Sequence, residues 1–442
     1  MKKRIWGTVL MLLATALLLS GCGMRTVEQM YCLPKRSDTY QELQSVIDSA
    51  MSGMEYSAPT SGDNQQTVQM ADLNGDGKDE YLVFAKGNTE KPMHILIFRQ
   101  DSNGRAKLME TIESSGSAFE QVIYVDIDDS PGYEMVVGRL LSDQVLRSVS
   151  IYTFANGYAQ QLLSTGYSKF LTCDLDNNGT SELMVIQPGE SSTRRGSAML
   201  YSQGPDGVER SREIQLSGSP ENIRRIMTGR LQDGSLAVFV ASSYTEKSIV
   251  TDIFSLRDQA FTNVSFSVEA GTSVDTLRNY FVYADDVDED GIMELPSPIP
   301  MRSVYGYWNT EEQYLIRWYA LDTRGQETDK LYSFHNFAGG WYLQLDSLWA
   351  NRLTVTQQGN AHQFAIWDVE FSQAAPVFTI YALTGSDQNT QVTEQNLFTL
   401  YRTEGIVYAA KLETGSGVYA ITEEQLINSF RLIQQDWKTG EI

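Results

Sequence analysis

A nine-residue acidic turn recurs along this chain every 48 to 57 residues, and no other feature restricts its fold so strongly. "DLNGDGKDE" begins at Asp72, "DIDDSPGYE" at Asp126, "DLDNNGTSE" at Asp174 and "DVDEDGIME" at Asp286. A degenerate copy, "GRLQDGSLA", begins at Gly229; it keeps the aspartate–glycine turn and lacks the acids. An apolar run follows each of the first three turns and the degenerate one: "YLVFAKG", "EMVVG", "ELMVIQ" and "LAVFVAS". A second run comes next: "HILIFRQ", "VSIYTFA", "AMLYSQG" and "TDIFSL". A turn and a third run complete each unit, and one further strand precedes each acidic turn, as in "QVIYVD". The runs are short, β-branched and aromatic, and bounded by Gly, Asn and Asp, which reads as strands and hairpins. The fifth unit continues through "QYLIRWYALD", "TRGQ" and "DKLYSFHNF". Four strands in a period near 50 residues is the size of one propeller blade. The expected fold is therefore mainly β: a β-propeller of about five four-stranded blades over residues 65–337.

The turns have the donor order of a calcium loop. Calcium takes six to eight oxygens, supplied in such loops by side chains at positions 1, 3 and 5, a carbonyl at 7 and an acid further on. A glycine at position 6 permits the sharp turn. Asp72, Asn74, Asp76, the carbonyl of Lys78 and Glu80 fit that order, with Gly77 at the turn. Asp174, Asp176, Asn178, the carbonyl of Thr180 and Glu182 fit it, with Gly179. Asp286, Asp288, Asp290, the carbonyl of Ile292 and Glu294 fit it, with Gly291. In the second turn Ser130 and Pro131 displace Gly132, so only Asp126, Asp128 and Glu134 stand out as ligands. The fourth turn offers a metal almost nothing. The closing acid at position 9 makes the loop shorter than an EF-hand loop, and no helix-like sequence follows. The competing reading is an Asx-type turn whose aspartates accept their own backbone N–H groups. Three carboxylates within a few ångströms repel one another, which favours an ion. Each loop enters a mid-blade strand, so fixing the loop fixes the register. Two to four structural calcium ions are expected, coupled to folding.

"DLNGDGKDEYLV" and its copies resemble the FG-GAP or VCBS repeat, the calcium-loop repeat of integrin-type β-propellers. That resemblance implies a propeller, extracellular placement, structural calcium and a role in binding rather than catalysis.

The chain ends read differently. "MKKRIWGTVLMLLATALLLSGCG" places Lys2, Lys3 and Arg4 before an apolar run from Ile5 to Leu19. About 20 residues are needed to span a bilayer, and this shorter run has the layout of an export signal. Leu19-Ser20-Gly21-Cys22 resembles the bacterial lipobox, which implies cleavage before Cys22 and acyl chains on its thiol. Residues 1–22 are thus expected to be a lipoprotein signal. Residues 23–64 should hold a tether and a helix, "TYQELQSVIDSAM", with a Thr39–Glu42 capping box and Tyr40, Leu43, Val46, Ile47 and Met51 on one face. Residues 338–442 should form a small α+β domain of alternating strands and a covering helix. That helix has a capping box at Thr422 and Gln425, an Ile421–Leu426 staple, and a stripe of Leu426, Ile427, Phe430, Ile433 and Trp437. Its pattern is similar to PsbP or Mog1-like sandwiches of clostridial surface proteins. Most tryptophans lie in this region, where core packing is the expected role.

The net charge of −22 repels phosphate backbones, which argues against nucleic acid as a partner. Of the three cysteines, Cys22 is the lipid site; Cys32 and Cys173 are expected to be unpaired thiols. The three histidines, His94, His335 and His362, have no metal-ligand neighbour at i+3 or i+4. No nucleophile elbow, phosphate loop or Cys-x-x-Cys pair is present. The expected role is therefore non-enzymatic: a lipid-anchored binding or scaffold protein on the outer face of a bacterial membrane, with an extracellular protein or glycan as partner. The rivals are a glycoside-active propeller using paired carboxylates and a structural subunit of an envelope complex.

Overall fold

In a computed structural model, the described residues are 38–433 except 102–104, 142–145, 190–194, 206, 280–281, 304–312 and 414–416. The signal-like segment, the lipidation site Cys22, Cys32, Trp308 and Trp437 lie outside them. The protein is mainly β, in six antiparallel sheets that follow one another in chain order.

Sheet 1 contains Met54–Tyr56, Val68–Ala71, Glu80–Gly87, Met93–Gln100 and Ala106–Ser114; its first two short strands share one edge of Glu80–Gly87. Sheet 2 runs Ala118–Val125, Glu134–Leu140, Arg147–Thr153 and Gln160–Gly166. Sheet 3 runs Lys169–Cys173, Glu182–Gln187, Ser197–Gly204 and Gly207–Arg210, with Ile214–Gln215 added beside the third strand. Sheet 4 runs Ile223–Arg230, Leu236–Thr245, Ser248–Arg257 and Ala260–Asn263. In sheet 1 the acidic turn joins Val68–Ala71 to Glu80–Gly87, and in sheets 2 to 4 the acidic or degenerate turn joins the first strand to the second. In sheet 5 the turn is bracketed by a bridge between Asp285 and Glu294, then followed by Leu295–Pro300, Tyr314–Leu321 and Glu327–Asn336.

The second strand of each unit is apolar without alternation because both of its faces are buried. Leu82 and Phe84 face sheet 2, while Val83 and Ala85 face the other way. Val137 packs towards sheet 1 and Val136 towards sheet 3. Val185 packs towards sheet 2 and Ile186 towards sheet 4. Val240 packs towards sheet 3 and Phe239 towards sheet 5. Each sheet thus shares one hydrophobic cluster with the preceding sheet and another with the next. Among the described residues no such cluster joins sheet 1 to sheet 5 or sheet 6.

Two caps cover the ends of this series. The N-terminal helix, α1 (Asp38–Ala50), lays Leu43 and Ile47 on Val83, Ala85, Leu96 and Phe98, the face of sheet 1 turned away from sheet 2; Met51, just past its end, joins them. The far side of sheet 5 is covered by sheet 6, made of Leu353–Gln358, Ala361–Trp367, Ala374–Thr384, Ile406–Leu412 and Phe398–Arg402. One core cluster runs from Leu315 and Phe334 of sheet 5 to Phe364 and Phe378 of sheet 6. Residues 337 and 338, where a domain boundary is expected, lie within a hairpin: Trp341–Leu345 pairs with Glu327–Asn336, and Phe430–Leu432 pairs with Trp341–Leu343. Trp318, Trp341, Trp349 and Trp367 are buried.

The C-terminal helix, Glu423–Ser429, carries the expected capping box, with both Thr422–Gln425 hydrogen bonds formed. It is shorter than its apolar stripe implies. Phe430 leaves it to form a strand and stacks on Trp341, with ring centroids 5.5 Å apart. Ladder pairing and aromatic burial there outweigh one more helical turn, and Ile427 is left exposed. Among the described residues no helix is long and apolar enough to cross a membrane.

Ile47→Ala tests the N-terminal cap. Removing a buried aliphatic side chain from a closed interface costs about 2–5 kcal/mol, so urea unfolding should shift to lower midpoint with little change in slope. An unchanged midpoint would mean that α1 does not close sheet 1.

Candidate metal centres

Three of the acidic loops share one internal wiring. The position-1 aspartate accepts from the position-5 N–H on Oδ1 and from the position-6 glycine N–H on Oδ2: 3.2 and 2.9 Å at Asp72, 3.0 and 3.0 Å at Asp174, 3.0 and 2.9 Å at Asp286. The side chains of Asn74, Asp176 and Asp288 accept from the same position-5 N–H groups. Asp76, Asn178 and Asp290 accept from the N–H groups of Lys78, Thr180 and Ile292. The carbonyl oxygens of those last three residues accept nothing from the described residues. Gly77, Gly179 and Gly291 have φ of 81°, 98° and 86°. A β-carbon at any of them would meet nothing within 4 Å, so backbone twist, not crowding, requires glycine.

Four loops close on a buried glutamate. Glu80, Glu134, Glu182 and Glu294 are at most 3% exposed. Each accepts on Oε2 from the position-2 N–H, that of Leu73, Ile127, Leu175 or Val287, at 2.7–3.0 Å. Those position-2 side chains are themselves buried and pin the loop to the core. The repeated acids hide this anchor in the sequence, although an apolar second residue recurs in every copy.

The second glutamate oxygen is treated differently in each loop. Glu80 Oε1 accepts from Arg99 Nε at 2.8 Å and from the Asn74 amide. Glu134 Oε1 accepts from Thr153 Oγ1 at 3.0 Å. Glu182 Oε1 has no partner among the described residues; the residue one ladder step past the Leu183–Tyr201 pair is Ser202, which does not reach it. Glu294 Oε1 is fully buried and unpartnered, and the corresponding residue is Ala320. Burial pushes the Glu182 carboxyl up to about 7, and Asp174 and Asp176 add repulsion. Burial pushes Glu294 up to about 8, with Asp288 and Asp290 adding to it. Arg99 and Thr153 could not be assigned from sequence, because the ladder that sets them beside the glutamates lies 19 residues away.

Three groups of acids converge so that one oxygen of each lies within 4.8 Å of the others: Asp126, Asp128 and Glu134; Asp174, Asp176 and Glu182; Asp286, Asp288 and Asp290. At such separations each like-charge pair costs about 1–3 kcal/mol with effective dielectric constants of 80 down to 20. The second loop, irregular in sequence, is among them. The first loop is not: its third position is Asn74 rather than an acid, and Glu80 Oε1 is taken up by Arg99 and the Asn74 amide. In the fifth unit Lys330 Nζ sits 2.5 Å from Asp290 Oδ2 and offsets part of that group without reaching Glu294 Oε1.

The displaced glycine of the second loop serves packing. A β-carbon at Gly132 would lie 2.4 Å from the Leu73 carbonyl oxygen, so the first and second loops press backbone against backbone. Tyr133 N–H donates to the Asp72 carbonyl at 3.0 Å, Ser181 N–H to the Asp126 carbonyl at 2.7 Å, and Met293 N–H to the Arg230 carbonyl at 2.8 Å. The first turn is thereby bonded to the second, the second to the third, and the fourth to the fifth. The fourth turn is closed by protein alone: Asp233 accepts from Ser235 N–H and from Thr323 of sheet 5. Sheet 4 buries its carboxylate elsewhere, at Asp252, which accepts from Ser217, Asn263 and Ser273. His94, His335 and His362 are all buried, and burial pushes His335 down to about 3.

No family model and no curated protein matches the chain. Solved structures resemble it only distantly. The exotype rhamnogalacturonan lyase YesX aligns over 75% of this chain and 67% of its own, at 11% identity and a TM-score of 0.28. Rhamnogalacturonan lyase YesW aligns over 73% and 71%, at 12% identity and 0.28. TolB from Acinetobacter baumannii aligns over 76% and 70%, at 11% identity and 0.22. TM-scores this low carry no argument about activity.

Two measurements follow from the glutamates. In the unfolded chain they titrate near about 4.3, and in the metal-free folded chain near 7 and 8 for Glu182 and Glu294. Between those values the folded state binds more protons, so its stability falls as pH rises. In EGTA the melting temperature should decline from pH 5 to 8.5, and Glu294→Gln should flatten part of that decline. A level profile in EGTA would contradict the geometry. Arg99→Gln should cost on the order of 2 kcal/mol in urea unfolding, with or without calcium, because it strands a buried carboxylate.

Proposed function

We propose that the protein is a lipid-anchored surface protein of a bacterium, built on a calcium-braced β-propeller-type array, with a binding or scaffold role towards an extracellular glycan or protein. The observation that carries the calcium reading is the buried Glu294 Oε1, which has no donor among the described residues and lies close to Asp288 and Asp290, together with the convergence of the buried Glu182 on Asp174 and Asp176. A buried anion without a partner is costly, and a hard divalent cation satisfies it together with the neighbouring acids. The third loop would supply Asp174, Asp176, Asn178, the Thr180 carbonyl and Glu182. The fifth would supply Asp286, Asp288, Asp290, the Ile292 carbonyl and Glu294. The second offers Asp126, Asp128 and Glu134. In the first, Arg99 already neutralises Glu80, which makes an ion on Asp72, Asn74, Asp76 and Lys78 the least needed.

The propeller-type reading is supported by five like sheets in chain order, with bonds joining the first three turns and the last two. The helix on sheet 1 and sheet 6 on sheet 5 favour an array closed by caps. The anchoring role draws on the lipobox-like Leu19–Cys22, outside the described residues. The binding role draws on the absence of a recognisable catalytic constellation in the sequence and on the FG-GAP-like repeat.

Calorimetric titration of the chain lacking residues 1–22 tests this reading. Two to four calcium ions should bind, with a gain of about 2.7 kcal/mol per site at a hundredfold excess over Kd. Asp174→Ala and Asp286→Ala should each remove one ion, while Asp76→Ala should leave the count unchanged. Heat and melting temperature indifferent to calcium would reject it.

A further inference from the structure

A cleft of about 590 Å³ lies between the second and third acidic loops. Asp128 stands on one side, Asp176 and Glu182 on the other, and the amides of Asn178, Gln203 and Gln259 complete the wall. Gln203 belongs to the third strand of sheet 3, and Gln259 to a hairpin turn of sheet 4, so three consecutive sheets contribute. Neither glutamine side chain makes a hydrogen bond among the described residues. Glu182 is 3% exposed, and one of its oxygens converges with Asp174 and Asp176 at the edge of this space.

We propose that the cleft binds a sugar through a vicinal diol chelated to the ion of the third loop. The inference rests on the calcium reading of that loop. The loop supplies five oxygens, and calcium takes six to eight, so one to three positions remain for an outside ligand. They open on the cleft, because Asp176, Asn178 and Glu182 line it while also ligating. No aromatic, aliphatic or cationic side chain is in the lining, so the cleft has nothing to hold an apolar group or a free anion. The ion offsets two of the third loop's three carboxylate charges; Asp128 and Asp129 remain as acceptors on the opposite wall, and the amides of Gln203 and Gln259 both donate to and accept from hydroxyls. Adjacent hydroxyls of one sugar ring can fill two open coordination positions and still meet Gln203 and Gln259.

Terbium, a luminescent stand-in for calcium, distinguishes this inference from the reading beneath it. The probes are soluble mannan, galactan and xylan, each intact and after periodate cleavage of its vicinal diols. At least one intact glycan should lengthen the terbium emission lifetime in water, as diol oxygens displace bound water, and its cleaved form should not. The double variant Gln203→Ala/Gln259→Ala should bind terbium as before and respond to glycan about tenfold more weakly, the loss of roughly one to two hydrogen bonds. Asp176→Ala should lose one ion and the glycan response together. Terbium binding with no response to any intact glycan overturns the sugar site and leaves the calcium reading intact; absence of terbium binding overturns both. A response unaffected by the double variant places the sugar outside this cleft, and displacement of terbium by hexalysine without any glycan response assigns the cleft to a cationic partner; either outcome overturns the inference.

Discussion

A carboxylate buried at the start of a central strand must find positive charge or hydrogen-bond donors, because an isolated anion in the interior costs several kcal/mol. Four of the five repeats place a glutamate there, and the rest of each loop is organised around it. One oxygen is always met by the N–H of the apolar position-2 residue, which ties the turn to the core. What meets the second oxygen varies: a guanidinium at Glu80, a hydroxyl at Glu134, and, among the described residues, no donor at the buried Glu294 Oε1. The same turn therefore ranges from one neutralised by protein to one that calls for an external cation. How far protein groups compensate the glutamate is set by the residue facing it across the ladder.

That constraint reaches beyond the loops. Each turn holds the register of a strand with two buried faces, where a one-residue slip would exchange every contact with one neighbouring sheet for contacts with the other. N–H-to-carbonyl bonds carry this order from the first turn to the third and from the fourth to the fifth, and shared hydrophobic clusters join every consecutive pair of these sheets, sheets 3 and 4 included. A series built this way has two open ends. Here α1 covers one and sheet 6 the other, each with buried apolar side chains, as terminal units of repeat proteins require.

Much was legible in the sequence. The period, the four-strand units and the strand-and-helix pattern of the C-terminal region all follow from local signals: hydrophobic runs, turn residues and the capping box at Thr422, seen with both of its hydrogen bonds. The donor order of Asp174 to Glu182 and Asp286 to Glu294 was equally plain, since it occupies nine consecutive residues. Less legible were the end of the last helix, where Phe430 serves a strand instead, and the continuity of the fifth sheet across residues 337 and 338. Both depend on a pairing with Trp341 that no local pattern announces.

Sequence alone determined where the turns fall, which atoms they offer a cation and that an apolar run follows each of the first four, because these are matters of spacing over a few residues. Only the tertiary structure decided what meets the second oxygen of each glutamate. That choice belongs to Arg99, Thr153, Ser202 and Ala320, brought beside the glutamates by antiparallel pairing across hairpins. Tertiary structure likewise decided that the first turn, the richest in pattern, is already neutralised, and that the second and third turns face one cleft. Charge compensation acts through space, and the groups that provide it are neighbours only once the sheets have formed.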